Sequence, residues 1–84
     1  MPELEPVIKL LGEIMEDRTV PRNIRTVAET AKKELEDKSK EMDLKLNSAI
    51  SVLDEITNDP NIPTYTRTQI WNVVSMLETA KREL

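Results

Sequence analysis

VIKLLGEIMEDRTVPRNIRTVAETAKKELE (residues 7–36) and AISVLDEITNDPNIPTYTRTQIWNVVSMLE (residues 49–78) align without a gap, at a shift of 42 residues in a chain of 84. Their shared frame, IxxLxEIxxDxx[VI]PxxxRT, places an apolar helical stripe, a turn with a proline and a second helical stripe in one order. We therefore predict a helical hairpin that occurs twice, by internal duplication. The frame is formed by Ile8, Leu11, Glu13, Ile14, Asp17, Val20, Pro21, Arg25 and Thr26, and again by Ile50, Leu53, Glu55, Ile56, Asp59, Ile62, Pro63, Arg67 and Thr68.

Outside this frame, apolar residues continue at spacings of three and four, which is typical of the buried face of a helix. The four predicted helices begin near Pro6, between residues 19 and 21, near Glu41 and near Ile62, with Thr19 and Asn61 as N-caps. A polar segment, residues 34–43, links the two copies. The predicted inward residues are Val7, Leu10, Leu11 and Ile14; Ile24, Val27, Ala28, Ala31 and Leu35; Leu46, Ala49, Ile50, Leu53 and Ile56; and Ile70, Val73, Val74, Leu77 and Ala80.

A hairpin that buries only one side is not stable alone, so two hairpins are expected to share one core. The sequence thus predicts an all-α fold, a four-helix bundle that forms a single domain over residues 1–84. An alternative is a short solenoid of two stacked repeats, similar to HEAT repeats, which would leave its end faces bare.

The composition restricts the chemistry. The 84 residues include no Cys and no His and carry a net charge of −4. These absences remove the usual thiolate nucleophile, the commonest general base and the commonest metal ligands. We expect no enzyme activity, no catalytic residue, no metal and no cofactor. The acidic charge disfavours non-specific nucleic-acid binding, and without a signal segment or an apolar span we expect a cytoplasmic protein that does not bind membranes.

The turn motifs DRTVPRNIRT (residues 17–26) and DPNIPTYTRTQIW (residues 59–71), with the preceding ISVLDEI, resemble a family of short, uncharacterised archaeal proteins. The resemblance covers nearly the whole chain and is weakest at residues 38–43. It implies a compact helical bundle. It implies no activity, ligand or catalytic residue.

Three arginines, Arg18, Arg22 and Arg25, gather at the predicted start of the second helix. Cations there oppose the helix dipole. One interpretation is that they bind a phosphate of RNA or of a nucleotide, together with the helix N–H groups. The other is that Asp17 and Glu16 neutralise them, and that Arg25 pairs with Asp17 as Arg67 pairs with Asp59.

The two aromatic residues are Tyr65 and Trp71. Trp71 corresponds to Glu29 in the first copy, a surface type of residue. It is expected either to anchor a partner, because interface hot spots favour Trp and Arg, or to fill the core beside the small residues Ala28 and Ala31.

The sequence therefore favours a non-catalytic interaction module that binds an unknown protein or forms a homo-oligomer. Its predicted surface consists of Arg18, Arg22, Arg25, Tyr65 and Trp71. The alternative is an RNA- or nucleotide-binding accessory protein that uses the same arginines. The recurring acids Glu13 and Glu55 are expected to cap or pair helices, because no second set of carboxylates converges on them.

Overall fold

The computed structural model describes residues 3–84, and four α-helices joined by short turns make up this part of the chain. The helices are α1 (Glu5–Glu16), α2 (Arg22–Glu36), α3 (Met42–Ile56) and α4 (Thr64–Arg82). No β-strand occurs between residues 3 and 84. The prediction of an all-α fold is confirmed.

The helices form a closed ring in chain order. α1 packs beside α2, α2 beside α3, α3 beside α4, and α4 closes the ring beside α1, whereas the backbones of the diagonal pairs α1–α3 and α2–α4 do not approach within 8 Å, measured between Cα atoms. A solenoid of stacked hairpins would bring those diagonal pairs together. The four-helix bundle is therefore confirmed, and the solenoid alternative is wrong. The bundle measures 34 × 20 × 19 Å.

The core consists of aliphatic side chains from all four helices. The predicted inward residues are buried, except that Leu10, Val27, Ile50 and Ile56 are half-buried at its edge. Two further core residues come from turns, because Val20 is 1% exposed and Ile62 is 5% exposed. These two are equivalent in the repeated frame, so both copies close the same end of the bundle.

The two turns of the repeated frame have the same backbone conformation. Pro21 has φ −54° and ψ 147°, and Pro63 has φ −56° and ψ 142°. In both turns the third residue after the aspartate donates its backbone N–H to that aspartate's carbonyl, over 3.1 Å for Asp17 and 3.3 Å for Asp59. The frame therefore specifies one turn structure twice, and the duplication behind it stays an interpretation of the sequence.

The predicted N-caps Thr19 and Asn61 are wrong. Proline occupies the N-cap position of both α2 and α4, and neither helix has a side-chain cap. The two residues instead lie inside the turns, where their backbone N–H groups donate to carboxylate oxygens of Asp17 and Asp59, over 2.9 Å and 2.8 Å. Each predicted N-cap residue is thus hydrogen-bonded to the aspartate two residues before it, within the turn and ahead of the helix.

Gly12 lies inside α1 with open space around it, because a Cβ atom placed there would meet nothing within 4 Å. This glycine is therefore not needed to let another helix approach the backbone of α1. We expect Gly12→Ala to raise the free energy of unfolding by about 0.5–1 kcal/mol, since Ala has the higher helix propensity. Thermal melting by circular dichroism measures this, and a lower melting temperature in the variant would contradict it.

Candidate interaction surface

Both aromatic side chains lie outside the core. Trp71 is 56% exposed and Tyr65 is 70% exposed. The interpretation that Trp71 fills the volume beside Ala28 and Ala31 is therefore wrong. The reason is the ring arrangement: those alanines belong to α2, which lies diagonally across from α4, with no Cα atoms of the two helices within 8 Å of each other.

Trp71 lies at the edge of the buried stripe of α4. Its neighbours in that stripe are Ile70, which is 1% exposed, and Val74, which is 9% exposed. Because a helix turns about 100° per residue, the indole borders the core on one side and faces solvent on the other. An indole in this position offers a large apolar face and one N–H donor to a partner.

The two turns of the repeated frame, residues 17–21 and 59–63, lie together at one end of the bundle. Asn23 in the first turn of α2 donates from Nδ2 to Oδ2 of Asp59, over 3.1 Å. The start of α1, the end of α4 and the turn at residues 37–41 lie at the opposite end, as an up-and-down bundle requires. The predicted arginines therefore share one end of the molecule with Tyr65, at the start of α4.

The arginines at this end are not neutralised by direct ion pairs. Between residues 3 and 84, Arg18, Arg22 and Arg25 have no carboxylate oxygen within 4.0 Å. The Asp17 carboxylate instead accepts hydrogen bonds from the backbone N–H of Thr19 at 2.9 Å and from its hydroxyl at 2.6 Å. These bonds lower the pKa of Asp17, and the charge of Arg25 lowers it further. The predicted direct pair of Arg25 with Asp17 is therefore wrong.

The equivalent residues Arg25 and Arg67 have their Nε atoms buried, without a hydrogen-bond partner among the described residues. Arg67 ties its turn to α4 as expected, although Nη2 donates to the backbone carbonyl of Asp59 over 2.8 Å rather than to the carboxylate. Arg18 and Arg22, by contrast, are exposed. Arg22 lines a cavity of about 260 Å³ together with Met15, Arg25, Thr26 and Glu29, whereas Arg18 does not.

The polar link contains a third turn of the same kind, which the sequence reasoning missed. Asp37 accepts from the backbone N–H of Ser39 at 2.9 Å and from its hydroxyl at 2.5 Å, and both bonds lower the pKa of Asp37. Lys40 pairs with Glu34 over 2.8 Å, which raises the pKa of Lys40. The sequence pattern D-x-[ST] indicates this turn, because it occurs both at residues 37–39 and at residues 17–19. Because no arginine or aromatic ring accompanies it, we regard this turn as structural.

The other predicted features do not converge on a site. Glu13 and Glu55 are exposed and, in the described chain, form none of the ion pairs that were expected of them. From residue 3 onward, no group of three or more Asp or Glu residues is placed to hold a metal ion. None of the four helices is long and apolar enough to cross a membrane.

Comparison with known families tests the resemblance carried by the two turns. The model of an uncharacterised protein family, UPF0147, matches residues 2–80, which include both turns and all the predicted surface residues. The chain belongs to UPF0147.

UPF0147 relatives occur in many archaea. A UPF0147 protein of Methanocaldococcus jannaschii is 51% identical over 78 residues, covering 93% of this chain and 84% of the relative. A UPF0147 protein of Sulfurisphaera tokodaii is 48% identical over 79 residues, covering 94% of this chain and 89% of the relative. The resemblance inferred from the turns is therefore confirmed, and the function of the family is uncharacterised.

Solved structures of similar proteins have the same fold. The crystal structure of a UPF0147 protein from Thermoplasma acidophilum superposes with a TM-score of 0.89 at 39% identity, covering 92% of this chain and 91% of that one. The crystal structure of MMP1188, a protein of unknown function, superposes with a TM-score of 0.88 at 50% identity, covering 90% and 86%. The four-helix ring is thus shared among these proteins.

Proposed function

We propose that this UPF0147 protein is a non-catalytic module that binds another protein, or a second copy of itself, through the surface of α4 around Trp71. The observation that carries the proposal is the exposure of the indole, 56%, in a chain with one Trp and one Tyr. An aromatic ring buries up to 150–250 Å² when it is covered, and Trp is enriched among the residues that dominate binding energies. Tyr65, at the start of the same helix, adds a second exposed ring.

A non-catalytic role is supported by the side chains on the surface. The chain has no His and no Cys to act as base or nucleophile. The hydroxyl groups of Thr19 and Ser39 donate to turn aspartates, and those of Thr26, Thr30 and Thr68 donate to backbone carbonyls. These interactions stabilise turns and helices.

The test replaces Trp71 by Ala. Because the ring lies outside the core, we expect a melting temperature close to that of the parent protein. In affinity capture from archaeal lysate treated with nuclease, a defined protein should be retained by the parent chain and lost with the variant. If the module binds itself, light scattering should show a dimer that Trp71→Ala dissociates.

Leu44→Ala is the matched control, because Leu44 is also an exposed apolar residue, at 53%, but lies on α3. It should retain whatever the parent chain binds. A parent chain that stays monomeric and retains the same proteins as Trp71→Ala would refute the proposed surface.

A second candidate function is phosphate binding by Arg18 and Arg22, as in an RNA- or nucleotide-binding accessory protein. It is favoured by the exposed guanidinium groups, which have no carboxylate within 4.0 Å in the described chain. Planar guanidinium groups bind phosphate in a bidentate manner. The net charge of −4 opposes long-range attraction of RNA, so we rank this function second.

Arg18→Gln combined with Arg22→Gln tests it. Inorganic phosphate should raise the melting temperature of the parent protein, and the double variant should lose this rise while melting normally without phosphate. Lys9→Gln combined with Lys38→Gln removes the same charge from other exposed positions and should keep the rise. No effect of phosphate on the parent protein, and no salt-dependent binding of single-stranded RNA, would exclude this candidate.

A further inference from the structure

A groove opens between α1 and α4, at the end of the bundle away from the arginines. Its cavity has a volume of about 490 Å³. The floor is apolar: Val7 and Ala80 are 2% and 7% exposed, and Met76 packs against the core from its edge. The groove is lined by Glu3, Val7, Ser75, Met76, Thr79, Ala80 and Glu83.

The rim of the groove is acidic. Glu3 and Glu83 are both exposed, and neither has a cationic partner within 4.0 Å in the described chain. Lys81 and Arg82 precede Glu83 in the sequence but do not line the groove. α4 ends at this rim, where Lys81 and Arg82 in its last turn offset the partial negative charge of the helix C-terminus, so the acidic character of the rim comes from Glu3 and Glu83. The Glu5 carboxylate lies in the first turn of α1, where it compensates the partial positive charge of that helix N-terminus.

We propose that this groove binds a basic amphipathic helix of a partner protein. An apolar side chain of the partner packs between Val7, Met76 and Ala80, and flanking Lys or Arg residues pair with Glu3 and Glu83. Helix-in-groove recognition has this form, with apolar anchors three and four residues apart. Complementary charge at the rim then selects the partner and accelerates association.

A second copy of the chain fits the groove less well. Each copy carries a net charge of −4, so a second copy is less complementary to the acidic rim than a basic helix is. This proposal goes beyond the function proposed for Trp71, because Trp71, Tyr65 and the arginines do not line the groove. The two surfaces can therefore be tested separately.

The experiment measures binding of a synthetic amphipathic helix of leucine and lysine, about four turns long, by fluorescence anisotropy of the labelled peptide. A peptide with glutamate in place of lysine is the charge control. The parent protein should bind the lysine peptide and not the glutamate peptide. Glu3→Gln combined with Glu83→Gln should weaken binding about five- to tenfold, as expected for two rim ion pairs.

Glu41→Gln combined with Glu78→Gln is the matched control, since both residues are exposed, lie outside the groove and change the net charge equally. This double variant should weaken binding of the lysine peptide less than about twofold. Trp71→Ala should leave binding of that peptide unchanged. Equal weakening by the two glutamate pairs, equal binding of the two peptides, or no binding of the lysine peptide would each overturn the proposal. A dimer that Met76→Gln dissociates would assign the groove to a second copy and overturn it too.

Discussion

Replacing Leu53 by Ala is expected to lower the free energy of unfolding by about 2–5 kcal/mol, because the substitution removes three carbon atoms from a closely packed core and leaves a cavity. Leu53 is 0% exposed and lies on α3, which packs against both α2 and α4. In a domain of this size the loss should lower the melting temperature by about 10 °C or more.

Leu44 supplies the control on the same helix. It is 53% exposed, so Leu44→Ala should change the free energy of unfolding by less than about 0.5 kcal/mol. Urea unfolding followed by circular dichroism measures both variants. If both variants lost a similar free energy of unfolding, Leu53 would not lie in the core of the folded protein.

Ala31→Leu is expected to destabilise the protein by about 1–3 kcal/mol, because overpacking forces side chains and backbone to move. Ala31 is 0% exposed, on the helix that packs between α1 and α3. The small side chains of α2 allow the neighbouring helices to approach closely. The three additional carbon atoms of a leucine at position 31 would therefore find no space.

Thr30→Leu places the same side chain on the exposed side of α2. It should leave stability unchanged or raise it slightly, because Leu is the better helix former. The two variants are compared by their unfolding midpoints in urea. If Ala31→Leu were as stable as Thr30→Leu, α2 would not pack as closely as the structure indicates.

The helices and the core could be predicted from the sequence because both depend on local periodicity. Apolar residues at spacings of three and four mark one face of a helix whatever surrounds it. All five residues predicted to face inward on the last helix, from Ile70 to Ala80, are buried. The equivalent turn residues Val20 and Ile62 were visible as apolar positions of the repeated frame.

The position of Trp71 could not be predicted in the same way. Its surroundings depend on which helices are neighbours, and a linear pattern does not contain that information. Ala28 and Ala31 leave space that a ring could fill, but α2 and α4 lie across the diagonal of the ring. The order of the helices therefore decides that the indole faces solvent.

The turn hydrogen bonds were predicted poorly because several acceptors compete for the same donors. Thr19 is a good N-cap by type, yet the carboxylate of Asp17, two residues earlier, takes both its N–H and its hydroxyl. Both bonds go to Oδ1 of Asp17, and Arg25 acts on this carboxylate through its charge without a direct ion pair. The arginines lie at the start of α2 and in the turn before it, as expected, but their pairing was predicted wrongly. That they form a binding surface stays a prediction.

The proposed role depends on the exposure of Trp71, which collisional quenching of tryptophan fluorescence measures without interference, since the chain contains one tryptophan. We expect acrylamide to quench the emission of the dilute, folded monomer nearly as well as that of the urea-unfolded chain, with the emission maximum close to that of the unfolded protein. A blue-shifted emission that acrylamide quenches weakly, at a dilution where light scattering shows a monomer, would place the indole inside the bundle and refute the surface proposed around Trp71.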